Sequence, residues 1–287
     1  MWHETLPVRL FDTKYRQRFN QWETGAFNLH DKEACRGFRG PSNAEACVFR
    51  FLALSEPRTA SRLTLVDIGA SGGLQKKWLR HRRRLRPVMF EPNPDEAARL
   101  RAQLPSLSNV LVVEQGLAET SGTFTLNLAH WPGCTSLLPT DPGVLAGYKI
   151  AALYETVKQV SIECVRFDEL HKAGKVPTPD VIKVDVEGYE HQVLSGFGEL
   201  LHEVIGIEAE AWFYPVFKGQ KLLHDLVALL APFSLHLRRI EPVTGFEGDL
   251  VCVNAYFTRG KAGQPDLTPD QRSKFALLQR VWGLNDT

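Results

Sequence analysis

The densest group of ionisable side chains in this sequence lies in the stretch VIKVDVEGYEHQVLSGF, residues 181–197. Its members are Lys183, Asp185, Glu187, Glu190 and His191. The first three alternate along an apolar run that is typical of a buried strand, and alternate strand residues face the same side. Burying so many charges is costly unless they pair with one another or take part in chemistry. This stretch therefore predicts a functional site.

Two of these carboxylates are expected to repel each other. Asp185 and Glu187 fall on one face of the predicted strand, so the pKa of one of them should rise. Either Lys183 or a bound cation would compensate for the repulsion. The sequence alone leaves both possibilities open.

A second candidate site is the glycine-rich turn VDIGASGG, which follows an apolar strand. Glycines at such a turn let the backbone approach a ligand closely and aim amide groups at it. The turn lacks the second glycine of the dinucleotide fingerprint, because Ser71 stands there, so a nucleoside without a pyrophosphate fits better. Asp67 would bind a cationic group or fix the turn. An ordinary strand-to-helix turn is the alternative.

Two further strand ends extend this candidate site. Glu91, in FEPNP, follows the second strand at roughly the twenty-residue spacing of an acid that accepts ribose hydroxyls. With the glycine turn it indicates an adenosine-type ligand, although a lone Glu at a strand end is usually just solvated. Gly116, Leu117 and Ala118 follow the third strand, where an adenine ring would lie. The alternative for these three residues is a simple turn.

Strand-like and helix-like segments alternate along the chain, which predicts an α/β fold with a mostly parallel sheet and helices on both faces. Residues 1–60 are predicted as an N-terminal helical extension, 61–260 as the main domain and 261–287 as a tail. Thr268 and Gln271 have the spacing of a capping box, and Gly283 can end the helix that they begin. This helix should dock on the domain, with a dimer contact as the alternative. The expected main-sheet strands are 63–68, 87–91, 109–114, 181–186, 204–212, 235–240 and 250–257. Additional strands are expected at 122–128 and 157–165, and the expected helices are 74–85, 94–104, 189–201 and 220–230.

Composition excludes several classes of protein. The formal net charge of +1 gives no global footprint for nucleic acid, and no apolar run is long enough for a membrane span. The start of the sequence shows no secretory signal pattern. Five scattered cysteines without a C-x-x-C pair argue against a disulfide framework or a structural zinc site, with Cys134 as the most exposed thiol. We therefore predict a cytoplasmic protein with no nucleic-acid partner.

The resemblance to a known family rests on five motifs: VDIGASGG, FEPNP, CTSL, VRFDEL and IKVDVEGYEHQVLSG. Together they resemble the FkbM family of S-adenosylmethionine-dependent methyltransferases. The similarity covers roughly residues 63–257 and is strongest at IKVDVEGYE. It implies the class I methyltransferase (Rossmann-like) fold, with a seven-stranded mostly parallel sheet whose last strand is antiparallel. In VRFDEL, Phe167 stands where family members commonly have Leu or Ile.

The resemblance also implies site roles and an activity. The residues implied to contact S-adenosylmethionine are Asp67, Gly69, Ala70 and Gly73 at its methionine end, Glu91 at the ribose, and Gly116, Leu117 and Ala118 at the adenine. The implied reaction is methyl transfer to a hydroxyl group of a sugar, glycan or polyketide-like acceptor. An NAD-dependent oxidoreductase and an inactive binding protein with this fold are the alternatives.

Methyl transfer to an alcohol needs a group that handles the hydroxyl proton. We predict Asp185, Glu187 and His191 as catalytic residues, with Asp185 or His191 as general base. A divalent cation held by Asp185, Glu187 and, as a third ligand, Glu210 is the alternative way to polarise the hydroxyl. His191 is more often an ordinary residue of a first helical turn.

Three other segments have two interpretations each. The aromatic run in EAWFYPVFKGQ, residues 210–220, would line an acceptor pocket or pack in the core. The arginine-rich residues 80–86 would bind an anionic acceptor or membrane surface, or form a solvated helix end. Residues 131–147 hold three prolines and three glycines and are predicted as a closing loop over the acceptor, with a distant surface loop as the alternative.

Overall fold

The computed structural model describes residues 61–103, 110–260, 264 and 266–284. The predicted N-terminal extension, residues 1–60, lies outside the described residues, as do Cys35 and Cys47. The described strands are β1 Leu63–Ile68, β2 Leu85–Phe90, β3 Leu111–Val113, β4 Gly116–Leu117, β5 Gly122–Ala129, β6 Thr156–Val165, β7 Val181–Val184, β8 Gly206–Trp212, β9 Leu235–Pro242 and β10 Cys252–Arg259. The described α-helices are α1 Lys76–Leu79, α2 Pro94–Gln103, α3 Pro142–Leu145, α4 Phe167–Lys172, α5 Glu190–Ser195, α6 Leu223–Leu230 and α7 Pro269–Trp282.

The main sheet has seven strands in the order β3-β2-β1-β7-β8-β10-β9. Neighbours from β3 to β8 pair in parallel, whereas β10 runs antiparallel to both β8 and β9. If the seven strands of this sheet are renumbered from 1 to 7 in chain order, their order in the sheet is 3-2-1-4-5-7-6. Only strand 7, which is β10, is antiparallel to the others. The order changes direction between β1 and β7, so a ligand crevice is expected at the carboxyl ends of these two strands.

The sheet is covered on both faces, which explains why most residues of its central strands are apolar and buried. In β1, Val66 and Ile68 face one cluster that includes residues of α4, α5 and α6. Leu63 and Leu65 face another cluster that includes residues of α1 and α7. All six β1 residues are buried. In a strand with two covered faces, the sequence is a nearly continuous hydrophobic run, because apolar and polar residues do not alternate.

The C-terminal helix docks on the domain, as predicted. Thr268 accepts a hydrogen bond from the Gln271 backbone N–H at 3.2 Å, and the Gln271 side chain accepts one from the Thr268 N–H at 3.0 Å. Gly283 ends the helix in the left-handed conformation, with φ at 62°. Trp282 packs against the Trp78 ring of α1, with ring centroids 6.4 Å apart. Apolar contacts of α7 therefore help to close one face of the sheet.

Strands β4, β6 and β5 form a separate three-stranded sheet, in which β4 pairs with β6 in parallel and β5 is antiparallel to β6. The two long strands were expected, but their sheet was not. Within the described residues, no helix is long and apolar enough to cross a membrane.

Three local predictions were wrong. The helix expected at residues 74–85 is reduced to α1 and a 3-10 turn over Arg82–Arg84. The helix expected at 189–201 ends at Ser195 and continues only as a 3-10 turn over Gly198–His202. Cys134 is buried rather than exposed, because it packs in an apolar cluster with Tyr154 and Trp212. Among the described cysteines, Cys134, Cys164 and Cys252 are all free thiols, as expected.

Candidate active site

The centre of the candidate site is an ion-pair group at the carboxyl ends of β1 and β7. The two strands pair with Asp67 opposite Lys183. The Lys183 Nζ lies 3.4 Å from Asp67 Oδ1 and 3.2 Å from Asp185 Oδ2. Lys183, one of the two compensating charges that the sequence left open, thus pairs with Asp185, and Asp67 joins them. The strand itself ends at Val184, earlier than the expected 181–186. Asp185 is the accessible member, with 39% of its side chain exposed against 9% for Lys183.

Lys183 is the positive charge that holds this group together. Burial alone would lower its pKa, but the carboxylates of Asp185, Asp67 and Glu208 together raise it, so the ammonium stays charged. Burial raises the pKa of Asp67 to about 6, against the opposing effect of Lys183. The positions of the Asp67 and Asp185 carboxylates are therefore set by one shared cation.

The loop after β7 is held by two side chains. One carboxylate oxygen of Glu190 accepts hydrogen bonds from the backbone N–H groups of Val186 and Gly188, both at 3.1 Å. The Ser136 hydroxyl donates to the carbonyl oxygen of Glu187 at 2.6 Å. Glu187 itself adopts a left-handed backbone conformation with φ at 58°, which is unusual for a residue other than glycine. Strain of this kind persists only where the surroundings impose it.

Three carboxylates converge at this loop. Asp185, Glu187 and Glu210 each place an oxygen within 4.8 Å of the others. Burial raises the pKa values of Glu187 and Glu210, and the neighbouring carboxylates raise them further. Residue Glu210 lies in β8, next to β7, so the sheet order itself brings the three together. The structure thus assembles the acidic cluster that the sequence predicted.

The glycine turn after β1 differs from the prediction in one respect. Its amide groups were expected to face a ligand, but three of them bond inside the protein. Ala70 N–H donates to the Phe90 carbonyl at 3.2 Å, and Gly73 N–H to the Ala70 carbonyl at 2.9 Å. Gly72 N–H donates to the Glu96 carboxylate at 2.9 Å. A carboxylate at this place would repel a pyrophosphate, which disfavours a dinucleotide.

Glu91 lies at the end of β2, beside the glycine turn. Its side chain is buried, and one carboxylate oxygen accepts a hydrogen bond from the Asn93 N–H at 3.0 Å. Burial raises its pKa, although the Asn93 hydrogen bond opposes this. Two buried carboxylates, Asp67 and Glu91, thus stand at adjacent strand ends. This pair of acceptors fits a ligand with both a cationic group and ribose hydroxyls.

The three residues predicted at the adenine are buried. Gly116 and Leu117 form β4, and Ala118 N–H donates to the Val165 carbonyl at 3.2 Å. A Cβ atom on Gly116 would lie 2.5 Å from the Cys164 sulfur, so glycine is needed there for packing. Their contact with an adenine ring stays a prediction.

The charged groups that shift the pKa of His191 do not belong to the acidic cluster. It lies in α5, half-buried, and burial is the main cause that lowers its pKa. The charged groups that act on it are Lys221, Asp225 and Glu119, rather than the three clustered carboxylates. Its role as a base stays a prediction, and the ordinary helix residue is the better supported interpretation.

The aromatic run divides into two pairs. Trp212 and Phe217 are buried and belong to an apolar cluster, so they pack in the core. Phe213 and Tyr214 are exposed, with 37% and 51% of their surfaces accessible. Only the second pair can contact an acceptor in this conformation.

Residues 80–84 precede β2, and residues 85 and 86 are its first two residues, so the arginine-rich run lies at the amino end of this strand. The candidate site is at the carboxyl ends of the parallel strands, the opposite edge of the sheet. The arginine-rich run is thus separate from the predicted catalytic residues.

The predicted closing loop contains ordered elements and contacts the site. It includes α3 and a 3-10 turn over Pro132–Cys134. Ser136 reaches Glu187, and Asp141 N–H donates to the Val216 carbonyl at 2.8 Å. The interpretation as a distant surface loop is therefore wrong, whereas closure over an acceptor stays a prediction.

Two positioning residues were missed in the sequence. Ser136 belongs to the quoted CTSL motif, but nothing local indicates its contact with Glu187, which is distant in the chain. Glu96 carried a usable signal, because Asn93 and Glu96 have the spacing of a helix cap and its third residue. The Asn93 side chain indeed accepts the Asp95 N–H at 3.0 Å.

The strand order, with its single reversed strand, and the site at the β1–β7 crossover together define a class I methyltransferase fold. The sequence pattern of the methyltransferase FkbM domain matches residues 67–236, more than half of the chain. The chain belongs to this family and is a methyltransferase.

Two relatives and one solved structure show how far the similarity extends. The 2-O-methyltransferase NoeI of Sinorhizobium fredii is 24% identical over 227 residues, covering 78% of this chain and 91% of NoeI. The hexuronic acid methyltransferase AglP of Haloferax volcanii is 32% identical over 116 residues, covering 40% of this chain and 42% of AglP. Magnesium protoporphyrin IX methyltransferase from Synechocystis, with bound S-adenosylmethionine, has a TM-score of 0.39 at 10% identity, covering 88% of this chain and 100% of that one.

Proposed function

We propose that the protein is an S-adenosylmethionine-dependent O-methyltransferase that acts on a hydroxyl group of a sugar, glycan or polyketide-like acceptor. Membership of the FkbM family supports the reaction, and the names of NoeI and AglP favour a sugar among these acceptors. The observation that carries the proposal is Asp185, an accessible carboxylate fixed by Lys183 at the crossover of the sheet.

The residues at the ends of β1 and β2 would hold the cofactor. Glu91 would accept the ribose hydroxyls, and Asp67 with the turn from Gly69 to Gly73 would lie at the methionine end. When bound, S-adenosylmethionine supplies a methyl group on a positively charged sulfur. Gly72 has open space where a Cβ atom would be, so the outer face of the turn is accessible to a ligand.

The chain's own part in the reaction is to position the acceptor and to take up its proton. Bound S-adenosylmethionine would supply the methyl group to the acceptor oxygen, and its sulfur would keep the electron pair of the carbon–sulfur bond that breaks. The hydroxyl proton passes to the Asp185 carboxylate in the general-base version. Alignment of the two reactants can contribute roughly 7–11 kcal/mol. In the alternative mechanism, a divalent cation bound to the same carboxylates would polarise the hydroxyl group.

The proposal is tested by calorimetry with S-adenosylhomocysteine and, separately, NAD. We expect the first to bind and the second not to bind, because Glu96 stands at the Gly72 amide. Labelled S-adenosylmethionine is then offered with uronic acid glycosides, neutral glycosides and polyketide alcohols. Methyl incorporation into a sugar hydroxyl supports the proposal. Binding of NAD alone, or cofactor binding without transfer to any of these acceptors, would contradict it.

A further inference from the structure

The acidic cluster contains more carboxyl groups than the positively charged side chains described around it pair with. Lys183 is shared between Asp67 and Asp185, and Glu190 is bonded to two backbone N–H groups. No positively charged side chain among the described residues pairs with Glu187 or Glu210 at ion-pair distance. Buried carboxylates normally have a charged or hydrogen-bonding partner.

The unpartnered oxygens are individually buried. The Oε2 atoms of Glu187 and Glu210 have almost no accessible surface and no hydrogen-bond partner within the described parts of the chain. On the other oxygen of Glu210, Oε1, the Cys252 sulfur lies 3.9 Å away, a weak contact. Two buried acceptors without a hydrogen-bond partner, on two residues of one acidic cluster, indicate a missing cation.

The spacing of the ligands suits one small ion. Two oxygens on opposite sides of a cation stand roughly 4.0–5.2 Å apart, given metal–oxygen distances of about 2.0–2.6 Å. The oxygens of Asp185, Glu187 and Glu210 all lie within 4.8 Å of one another. An all-carboxylate donor set selects hard divalent cations such as Mg²⁺, Mn²⁺ or Ca²⁺ rather than zinc.

Hydrogen bonds within the protein fix the conformation of the loop after β7, which carries Glu187. Glu187 is held in a left-handed conformation by Ser136, and Glu190 ties the amides on both sides of it. These contacts orient Glu187 and leave its carboxylate free to bind an ion. Hydrogen-bonding groups around known metal sites orient the ligating residues in the same way. The exposed part of Asp185 provides an entry path.

We propose that Asp185, Glu187 and Glu210 bind one divalent cation, whose remaining positions face the acceptor. The inference deepens the proposed function and rests on it for the cation's role, which is to polarise the acceptor hydroxyl. The cation also neutralises the cluster, so it stabilises the folded chain when bound.

The test uses Mn²⁺ as a probe with the full chain, in the presence and absence of S-adenosylhomocysteine. Loss of the free-ion signal in electron paramagnetic resonance reports binding, and the melting temperature reports stabilisation. We expect one bound Mn²⁺ per chain and a raised melting temperature. Glu210→Gln and Glu187→Gln should each weaken binding at least tenfold, which corresponds to about 1.4 kcal/mol. The exposed Glu199→Gln is the matched control and should bind like the wild type.

The outcomes separate this inference from the proposed function. Absence of Mn²⁺ binding to the wild type at millimolar concentration overturns the cation site, whatever the variants do. Unchanged binding in both glutamine variants also overturns it. If methyl transfer proceeds fully in chelator, the cation has no catalytic role, while the proposed function stands. If Mn²⁺ binds but S-adenosylhomocysteine does not, the proposed function fails and the cation site stands.

Discussion

A Cβ atom on Gly69 would lie 2.0 Å from the carbonyl oxygen of Asp185, so the turns after β1 and β7 meet where only glycine fits. Gly69 also has a φ of 72°, a conformation that favours glycine. The close approach of these two turns explains why residue 69 is a glycine. It also brings Asp67, on β1, to the lysine that holds Asp185.

The first prediction compares two glycines of the same turn. Gly72 has a similar φ of 81°, but a Cβ atom there meets nothing within 4 Å. Gly72→Ala should therefore cost only the left-handed strain, about 1–2 kcal/mol. Gly69→Ala should cost a further 1–3 kcal/mol or so, because it forces the β7 turn to move. Urea unfolding of both variants measures the difference, and equal costs would refute the close-contact explanation.

The second prediction concerns Ser136, which acts through Glu187. Ser136→Ala removes the donor to the Glu187 carbonyl and the acceptor for the Leu138 N–H, at 2.6 Å and 3.0 Å. We expect about 1–3 kcal/mol of lost stability and a lower kcat, with an unchanged KM for S-adenosylmethionine. Steady-state kinetics at a temperature where the variant is folded separate these effects.

The control for Ser136 is Ser161→Ala, which removes an exposed hydroxyl from β6. It should leave both kcat and stability unchanged. A Ser136→Ala variant that is less stable but fully active would mean that the hydroxyl serves the fold alone and does not position Glu187.

The third prediction concerns Glu91 and the cofactor. Glu91→Gln keeps the shape of a buried side chain but removes its charge. Hydrogen bonds to charged groups contribute about 1.5–3 kcal/mol, so S-adenosylhomocysteine should bind at least tenfold more weakly in calorimetry. Asp95→Asn, on the exposed start of α2, is the matched control and should bind normally. Wild-type affinity in Glu91→Gln would remove Glu91 from the cofactor site.

Much of the fold was predictable because its signals are local. The buried strands β1 and β7 are apolar runs bounded by turn residues, and α7 carries both a capping box and a glycine stop. The acidic cluster was predictable for a related reason. Asp185 and Glu187 follow one strand, and Glu210 lies in the next strand of the sheet, so adjacency follows from strand order.

What was not predictable depends on contacts between distant segments. The length of α1 could not be foreseen, since the pattern over 74–85 is helical but the chain must turn at Arg82–Arg84 to enter β2. The burial of Cys134 depends on Tyr154 and Trp212, which lie far away in sequence. The same holds for Ser136 and Glu187, whose hydrogen bond joins residues 51 positions apart.

Methyl transfer by Asp185→Asn tests the central claim most directly. The substitution keeps the shape of the side chain and removes the charge that faces Lys183 and the acceptor. Transfer of labelled methyl to the best sugar acceptor should fall by at least about 100-fold, the lower range for acid–base catalysis, while S-adenosylhomocysteine affinity stays near that of the wild type. The exposed Asp266→Asn should behave like the wild type. Full activity in a folded Asp185→Asn would contradict both the general-base and the cation versions of the site.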